Sequence, residues 1–354
     1  MIRIQNIYYM LSYAFQILQG QGYRKLATEK YENMGELCTA ILCKGFDLQL
    51  KRGLGRAYVW KTETLSAVRG KIDLSESLKP QYVQKQQLVC SYDDFSTDFS
   101  FNQILRSTME LLLYADISNR WKKELKKRLV FLEGVQTINL RKVNWNIHFN
   151  RNQETYSMLI GICYLVVKGL LQTQKDGTVK LMDFLDEQHM CRLYEKFILG
   201  YYSKHYPALS ACASQVLWAL DENEGGEEGS DELLPIMQTD ITLRQGVTVL
   251  IIDAKYYDQT MQTKFDQPKI HSNNLYQIFT YVKNCDYSYG IQPHTVSGML
   301  LYAKTEEAFQ PDSVYQMHGN RISVRTLDLN QDFSRIAEDL DRIVEEHFAD
   351  CQKR

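Results

Sequence analysis

Proline and glycine are scarce in this chain, at 6 and 19 of 354 residues, which excludes collagen-like and mucin-like architectures. The 8 cysteines contain no C-x-x-C pair. A zinc finger or ribbon is therefore not expected, and the thiols read as free and buried in a reducing cytosol. Neither sign of charge dominates: 41 Lys and Arg stand against 43 Asp and Glu, a net charge of −2. Such a chain does not hold nucleic acid by bulk charge, so any contact with DNA must run through local patches or a partner. No hydrophobic run approaches the roughly 20 residues that span a bilayer. The most apolar stretch, Met158 to Val167, ends at Lys168 and reads as a buried helix. The start, MIRIQNIYYMLSYAF, is interrupted by Gln5, Asn6 and Ser12 and has no small-residue cleavage site. The expectation is a cytoplasmic protein with no membrane partner. A phosphate-binding G-x-x-x-x-G-K-[ST] loop is also missing. GLGRA at 53–57 has the glycines but neither the Lys-Ser/Thr nor the strand–helix context.

What is present is ordinary globular material, 44% hydrophobic and 12% aromatic, long enough for two domains. The expected division is 1–150 and 151–354. Residues 2–20 read as an extended piece and then a helix, and 31–48 as a second helix. Between 49 and 93, DLQLKR, RAYVWKTET and QQLVCSYDDF alternate apolar and polar β-formers between Gly53, Gly55, Gly70 and Pro80, a small β-rich module. Helices return at 100–128, where Lys122, Lys123, Lys126, Lys127 and Arg128 make the most basic segment. It reads as a solvated face before it reads as a DNA patch. Another helix covers 155–172, and 173–180 is a turn. Beyond it come a helix at 184–203, strands at 213–220, 235–243 and 247–256, a helix at 271–284, strands at 296–303 and 321–328, and a closing helix at 331–349. Interleaved strands and helices indicate an α/β sheet. Residues 221–232, DENEGGEEGSDE, hold seven acids and three glycines in twelve positions and read as a loop.

The chemistry is concentrated in PIMQTDITLRQGVTVLIIDAKYY, residues 235–257. It reads as a hairpin turning at Arg244–Gly246. Asp240 lies on its first strand. Asp253 and Lys255 end its second, after the apolar run Val249–Ile252 of a central strand. Strand side chains have period two, so Asp253 and Lys255 share a face, and the Ala254 carbonyl is available at the strand end. Two carboxylates from adjacent strands make a hard oxygen site for Mg²⁺, with Mn²⁺ the alternative ion. A metal there polarises a phosphoryl oxygen and activates water, and a nearby Lys orients that water or offsets charge. The D-x-K tripeptide alone is a weak signal. Three features strengthen it: Asp240 across the hairpin, Glu195 on the preceding helix in CRLYEKFILGYY, and Gln277 with Tyr281 on the following helix.

Glu195, Asp240, Asp253 and Lys255 in this order resemble the PD-(D/E)xK nuclease superfamily. Gln277-x-x-x-Tyr281 resembles the QxxxY element of its RecB-type branch. One departure is Thr239, which stands where the motif has Pro. The start IRIQNIYYMLSYAF, LSAVRGKIDL at 65–74, DDFSTDFSFNQILRSTM at 93–109, RLYEKFI and LIIDAKYY together resemble the McrC family over essentially the whole chain. That resemblance implies an α+β N-terminal module followed by an α/β restriction-endonuclease-like (PD-(D/E)xK) domain with a central mixed sheet flanked by helices. It implies catalytic roles for Asp240, Asp253, Lys255, Glu195, Gln277 and Tyr281, and Mg²⁺ held by Asp240, Asp253, the Ala254 carbonyl and Glu195. It also implies an McrB-like AAA+ GTPase hexamer as partner, GTP used only through that partner, and cleavage of double-stranded, methylcytosine-modified DNA. The N-terminal module would dock on the motor and stimulate it.

Two rival readings share the residues. One is a stand-alone RecB-like nuclease or resolvase, the other a non-catalytic assembly factor. In the N-terminal module, Arg3 and Arg69 are candidates for partner contact or for turn caps. Asp94 and Asp98 are candidate caps of the helix starting near Phe99, Asp98 as its N-cap. The seven histidines show no ligand spacing, and His271 opens the helix that carries Gln277.

Overall fold

The computed structural model describes residues 2–173, 187–220, 233–257, 259–264, 267–348 and 351–353. Among the described residues the first element is helix α1 (Ile4–Ala14), with no strand before it, and short 3₁₀ turns at Gln16–Gln19 and Arg24–Ala27 follow. It divides into two compact units, one of residues 31–184 and one that joins 1–30 to 185–354. The division therefore differs from the one expected at residue 150. Hydrophobic burial decides it. The apolar helix at 154–173 packs on helices of the middle segment, and α1 packs on a helix that begins at residue 187.

The middle unit contains α2 (Met34–Arg52), β1 (Ala57–Leu65), β2 (Lys71–Ile72), the short α3 (Leu74–Ser77) and α4 (Pro80–Gln84), β3 (Leu88–Ser96), α5 (Ser100–Leu113), α6 (Asn119–Leu129) and α7 (Glu154–Thr173). Asn33 caps α2, its side chain accepting the Glu36 N–H at 3.0 Å. Glu36 in turn accepts the Glu32 and Ser118 N–H groups at 3.0 and 3.1 Å. Buried Leu37, Ile41, Leu42 and Phe46 of α2 face a core shared with Met158, Leu159, Ile162 and Val166 of α7. β1 and β3 are antiparallel, from Ala57 opposite Ser96 to Leu65 opposite Leu88, and β2 pairs with β3. The β-rich module is thus a three-stranded sheet in the order β1-β3-β2 that carries a short helical tip. On α6, Trp121 and Leu125 are buried while Lys123, Lys126 and Lys127 are exposed. Arg128 pairs instead with Asp47 at 2.6 Å and Glu124 at 2.7 Å.

Two expected caps fall elsewhere. Phe99, not Asp98, occupies the N-cap of α5. Asp98 accepts the Gln136 N–H at 2.8 Å and the Gln103 amide at 2.9 Å, which ties a later loop to α5. Asp94 pairs with Lys61 at 2.8 Å and Arg69 at 3.2 Å, an ion pair that its position on a strand favours over a cap.

The other unit adds α8 (Glu187–His205), β4 (Gln215–Val216), β5 (Met237–Gln238), β6 (Ile241–Gln245), β7 (Thr248–Lys255), β8 (Met261–Lys264), β9 (Gln267–Ile270), α9 (Ser272–Tyr287), β10 (Thr295–Ala303), β11 (Ser313–Met317), β12 (Asn320–Leu327) and α10 (Phe333–His347). Its main sheet runs β11-β12-β10-β7-β6. β7, β10 and β12 are parallel, while β6 and β11 are antiparallel at the two edges. This is a mixed sheet flanked by helices, as the family resemblance implies. The β6–β7 turn places Gly246 at φ +59°, where glycine carries no Cβ penalty. α9 is the crossover from β7 to β10, and Ile278 and Val282 pack with Val249, Ile251, Val296 and Leu300. Gly298 permits that approach, since a Cβ there would meet Val282 at 2.7 Å and Ile278 at 2.9 Å. α8 packs on β6 and β7, and Tyr201 and Tyr202 bond to carbonyls of α10.

The strand expected at 213–220 shrinks to two residues, and that at 235–243 breaks into β5 and β6 around Thr239 and Asp240. β8, β9 and β11 were not expected, because none shows a clean apolar alternation. The turn at 173–180, apart from Thr173, and the acidic stretch 221–232 lie outside the described residues.

Candidate active site

β7 is buried along nearly its whole length and delivers Asp253 and Lys255 at its C-terminal end. The β6–β7 ladder begins at Ile241 opposite Ile252, so Asp240 sits one step beyond, across from Asp253. Cross-strand neighbours at that register bring their side chains together. The Asp240 carboxylate accepts the Ala254 N–H at 2.9 Å. Thr239, the departure from the expected Pro, has work for its N–H, which donates to Ser214 O at 2.9 Å. Its hydroxyl oxygen also accepts the Ser214 N–H at 3.0 Å and lies 2.9 Å from Thr242 Oγ1. Proline would forfeit the backbone bond.

Asp253 is 1% exposed. Lys255 Nζ donates to its Oδ1 at 3.0 Å and lies 2.9 Å from Oδ2. Oδ2 is in ion-pair contact but receives no aligned hydrogen bond. Nζ also donates to Gln277 Oε1 at 3.3 Å. The Gln277 amide donates to Tyr281 OH at 2.9 Å, and that hydroxyl donates to the Gln238 carbonyl at 3.2 Å. A chain of hydrogen bonds thus leads from Lys255 through α9 to the residue two before Asp240. Gln277 and Tyr281 face each other because residues four apart share a helix face.

Glu195 approaches from α8. Cys191, one turn earlier, donates its thiol to Glu195 Oε1 at 3.3 Å and lies 3.9 Å from Ala254 O. All six side chains read from the sequence, with the Ala254 carbonyl, therefore meet at the end of β7. Cys191 and the Gln238 carbonyl are additions. The four-residue spacing from Cys191 to Glu195 was the one sequence signal for the thiol.

The electrostatics are those of crowded acids in a dry site. Burial raises the Asp253 carboxyl, Lys255 opposes the rise, and Asp240 adds to it. Burial likewise raises Asp240, against the pull of Lys255 and the Ala254 N–H. Burial and then the charge of Asp240 raise Glu195. Burial disfavours the Lys255 ammonium, but Asp253 and Asp240 outweigh it and hold Lys255 in its charged form. Among the described residues no group of three or more His, Cys, Asp or Glu side chains is already arranged as a metal cage. Any ion here would rely on Asp240, Asp253 and a backbone oxygen. The donor set is all hard oxygen, and Oδ2 of Asp253 is a buried acceptor without an aligned donor, so the residues fit a divalent cation such as Mg²⁺.

The other candidates lie in local contacts. Arg69 stacks over the Tyr92 ring at 3.8 Å and pairs with Asp94. Arg3 pairs with Asp332. The His271 ring lies 5.1 Å from that of Tyr257. Among the described residues no helix is long and apolar enough to cross a membrane.

The chain is similar to several known proteins. An Escherichia coli K12 protein described as the type IV methyl-directed restriction enzyme EcoKMcrBC is 27% identical over 349 residues, covering 98% of each chain. Two solved structures from Thermococcus gammatolerans are similar. One, of McrB AAA+ hexamers with bound McrC, has a TM-score of 0.49 at 18% identity over 97% of this chain and 75% of that one. The other, of the McrBC complex, has 0.38 at 19% identity, over 57% of this chain and 58% of that one. The family described as McrBC 5-methylcytosine restriction system component matches residues 4–303, a span that takes in the middle unit and every residue of the site at the end of β7. The chain belongs to that family.

Proposed function

We propose that the chain is the nuclease subunit of a modification-dependent restriction complex, its C-terminal unit a PD-(D/E)xK domain that cleaves DNA with Mg²⁺. The observation that carries this reading is Asp240, one step before β6, standing across from Asp253 on β7, with Lys255 at 2.9 Å from Asp253. Asp240, Asp253 and the Ala254 carbonyl would hold the ion, with Glu195 beside them. When bound, Mg²⁺ would supply Lewis acidity at a phosphoryl oxygen and a water of lowered pKa. Lys255, kept as an ammonium between two carboxylates, suits stabilisation of developing phosphate charge better than removal of a proton. Gln277 fixes its direction, and Tyr281 holds the backbone that leads into Asp240. The buried β7 keeps this geometry rigid.

The partner in this reading is an McrB-like AAA+ GTPase hexamer; the Thermococcus structure is described as McrB AAA+ hexamers with bound McrC. The chain has no phosphate loop of its own, so GTP hydrolysis belongs to the partner. The middle unit offers a docking surface. Leu74, Leu78 and Val83 on the α3–α4 tip are 67%, 73% and 55% exposed. Tyr58 and Phe95 pair across the open face of β1 and β3 with ring centroids 5.1 Å apart, beside exposed Trp60. Exposed apolar groups so close together mark interaction sites. The substrate is double-stranded methylcytosine-containing DNA, as the methyl-directed E. coli relative suggests.

The test is reconstitution with the motor, GTP and methylated DNA. Asp253→Ala and Lys255→Ala should abolish cleavage while leaving assembly and GTP hydrolysis intact. Wild-type cleavage by either variant would sink the assignment. Robust cutting by the chain alone with Mg²⁺ would instead favour a stand-alone nuclease.

A further inference from the structure

We propose that Cys191 is a positioning residue of this site: its thiol links the backbone at the end of β7 to the Glu195 carboxylate and holds that carboxylate beside the Ala254 carbonyl. The inference rests on the reading of Asp240, Asp253, Ala254 O and Glu195 as a metal site.

Cys191 and Glu195 stand one turn apart on α8, and both side chains are partly buried. The sulfur has two kinds of neighbour. On one side lies the backbone of Tyr256, the residue after Lys255. Its single proton goes to Glu195 Oε1 at 3.3 Å, the nearer of two acceptors, with Ala254 O at 3.9 Å. The thiol therefore lies between helix and strand, within reach of the Ala254 carbonyl and pointing at the helix's acid.

Glu195 is half-buried, and the like charge of Asp240 opposes its ionisation while Lys255 and Arg192 favour it. The thiol is a hydrogen-bond donor to that carboxylate and stands beside Ala254 O, so it holds the two oxygens near each other. Outer-shell donors of this kind orient metal-binding carboxylates, and their loss typically weakens metal affinity roughly 10- to 100-fold. A thiol is a weak donor, so the effect here belongs at the low end of that range.

The experiment is calorimetric titration of the complete chain with Mn²⁺ and with Mg²⁺, alongside its melting temperature without metal. Serine preserves both the donor and the acceptor. Alanine removes both. Cys191→Ser should bind metal within about twofold of wild type, and Cys191→Ala should bind it about tenfold more weakly at an unchanged metal-free melting temperature. Wild-type affinity in Cys191→Ala overturns the proposal. So does a Cys191→Ser variant as weak as Cys191→Ala, or a fall in melting temperature with affinity unchanged. Asp253→Ala separates the two levels of the argument. If it binds metal like wild type, the metal site itself is misassigned. If it loses binding while Cys191→Ala does not, only the role of Cys191 fails.

Discussion

The carboxylate of Asp240 accepts the backbone N–H of Ala254 at 2.9 Å, which pins the acid just before β6 to the peptide between the two charged residues of β7. Without a metal ion three acids share the single ammonium of Lys255, and Asp253 and Glu195 both feel the like charge of Asp240. Asp240→Asn keeps an oxygen to accept that N–H and removes the charge. We expect it to abolish cleavage and to raise the melting temperature of the metal-free chain by roughly 2–4 °C for each kcal/mol of repulsion relieved. Differential scanning calorimetry in chelator checks this. A lower melting temperature would mean that Lys255 needs both acids more than they repel each other.

In the middle unit the corresponding joint is Tyr156. Its hydroxyl accepts the Gly55 N–H at 2.8 Å and donates to Asn102 at 2.8 Å. Asn102 is fully buried and also donates to carbonyls of Gly55 and Thr97. Tyr156→Phe leaves a half-buried donor and a buried acceptor unpaired, at a cost of about 1–3 kcal/mol. Urea denaturation should show the loss in the midpoint with little change in slope. An unchanged midpoint would show that water replaces the hydroxyl.

The site was legible because its signals are local. The apolar run of β7, the D-x-K at its end, and the four-residue spacings on α8 and α9 each sit within one element. What the sequence hid was long-range. α1 reads as the start of an N-terminal module, yet it packs on α8, since only tertiary contact decides which core takes an amphipathic helix. Asp98 reads as a cap by its position before Phe99, but Gln136 competes for it from 38 residues away. The edge strand β11 is largely exposed, so it lacks the apolar alternation that marks a strand.

The α1–α8 contact gives a third prediction. Gly200 on α8 lies against the backbone carbonyl of Tyr13, and an added Cβ would collide with it. Backbone cannot yield as a side-chain tip can. Gly200→Ala should therefore cost about 1–3 kcal/mol, although alanine is the better helix former. A thermal melt that is unchanged or higher would overturn the packing of α1 on α8.

A pH dependence follows from the cluster at the end of α9. His294 Nε2 lies 3.0 Å from Asp286, which also takes Lys283 at 3.0 Å and the Asn320 amide at 2.8 Å. The Gln292 carbonyl and then the Asp286 carboxylate hold the His294 imidazolium above its ordinary value of 6.5. Asp286 is held below 3.8 by its three hydrogen bonds, which together outweigh its burial. The histidine's contribution is thus complete below pH 6.5 and is lost as pH rises through its folded-state value. The aspartate's is present above pH 3.8 and lost as pH falls through its own. Melting temperatures of wild type and His294→Gln should converge on the alkaline side and separate towards pH 5, wild type higher. Parallel curves would remove His294 from the account.

The exposed tip supplies the last prediction. Ser77 is buried and fastens α3 to β3, donating to the Asp73 carbonyl at 2.6 Å and accepting the Val89 N–H at 2.8 Å. Leu74, Leu78 and Val83 are left outward on this rigid support, where water gives them no reward. Replacing all three with serine changes nothing that the core uses, so each change should stay within about 0.5 kcal/mol of neutral for folding. If the tip docks on the motor, each lost apolar anchor is worth more than about 1 kcal/mol of binding, and the triple variant should bind its partner at least roughly 100-fold more weakly. Stimulation of the partner's GTP hydrolysis, titrated against subunit concentration, reads the affinity directly. A triple variant that stimulates at wild-type concentrations, while Trp60→Ser does not, would move the docking surface to the open face of β1 and β3.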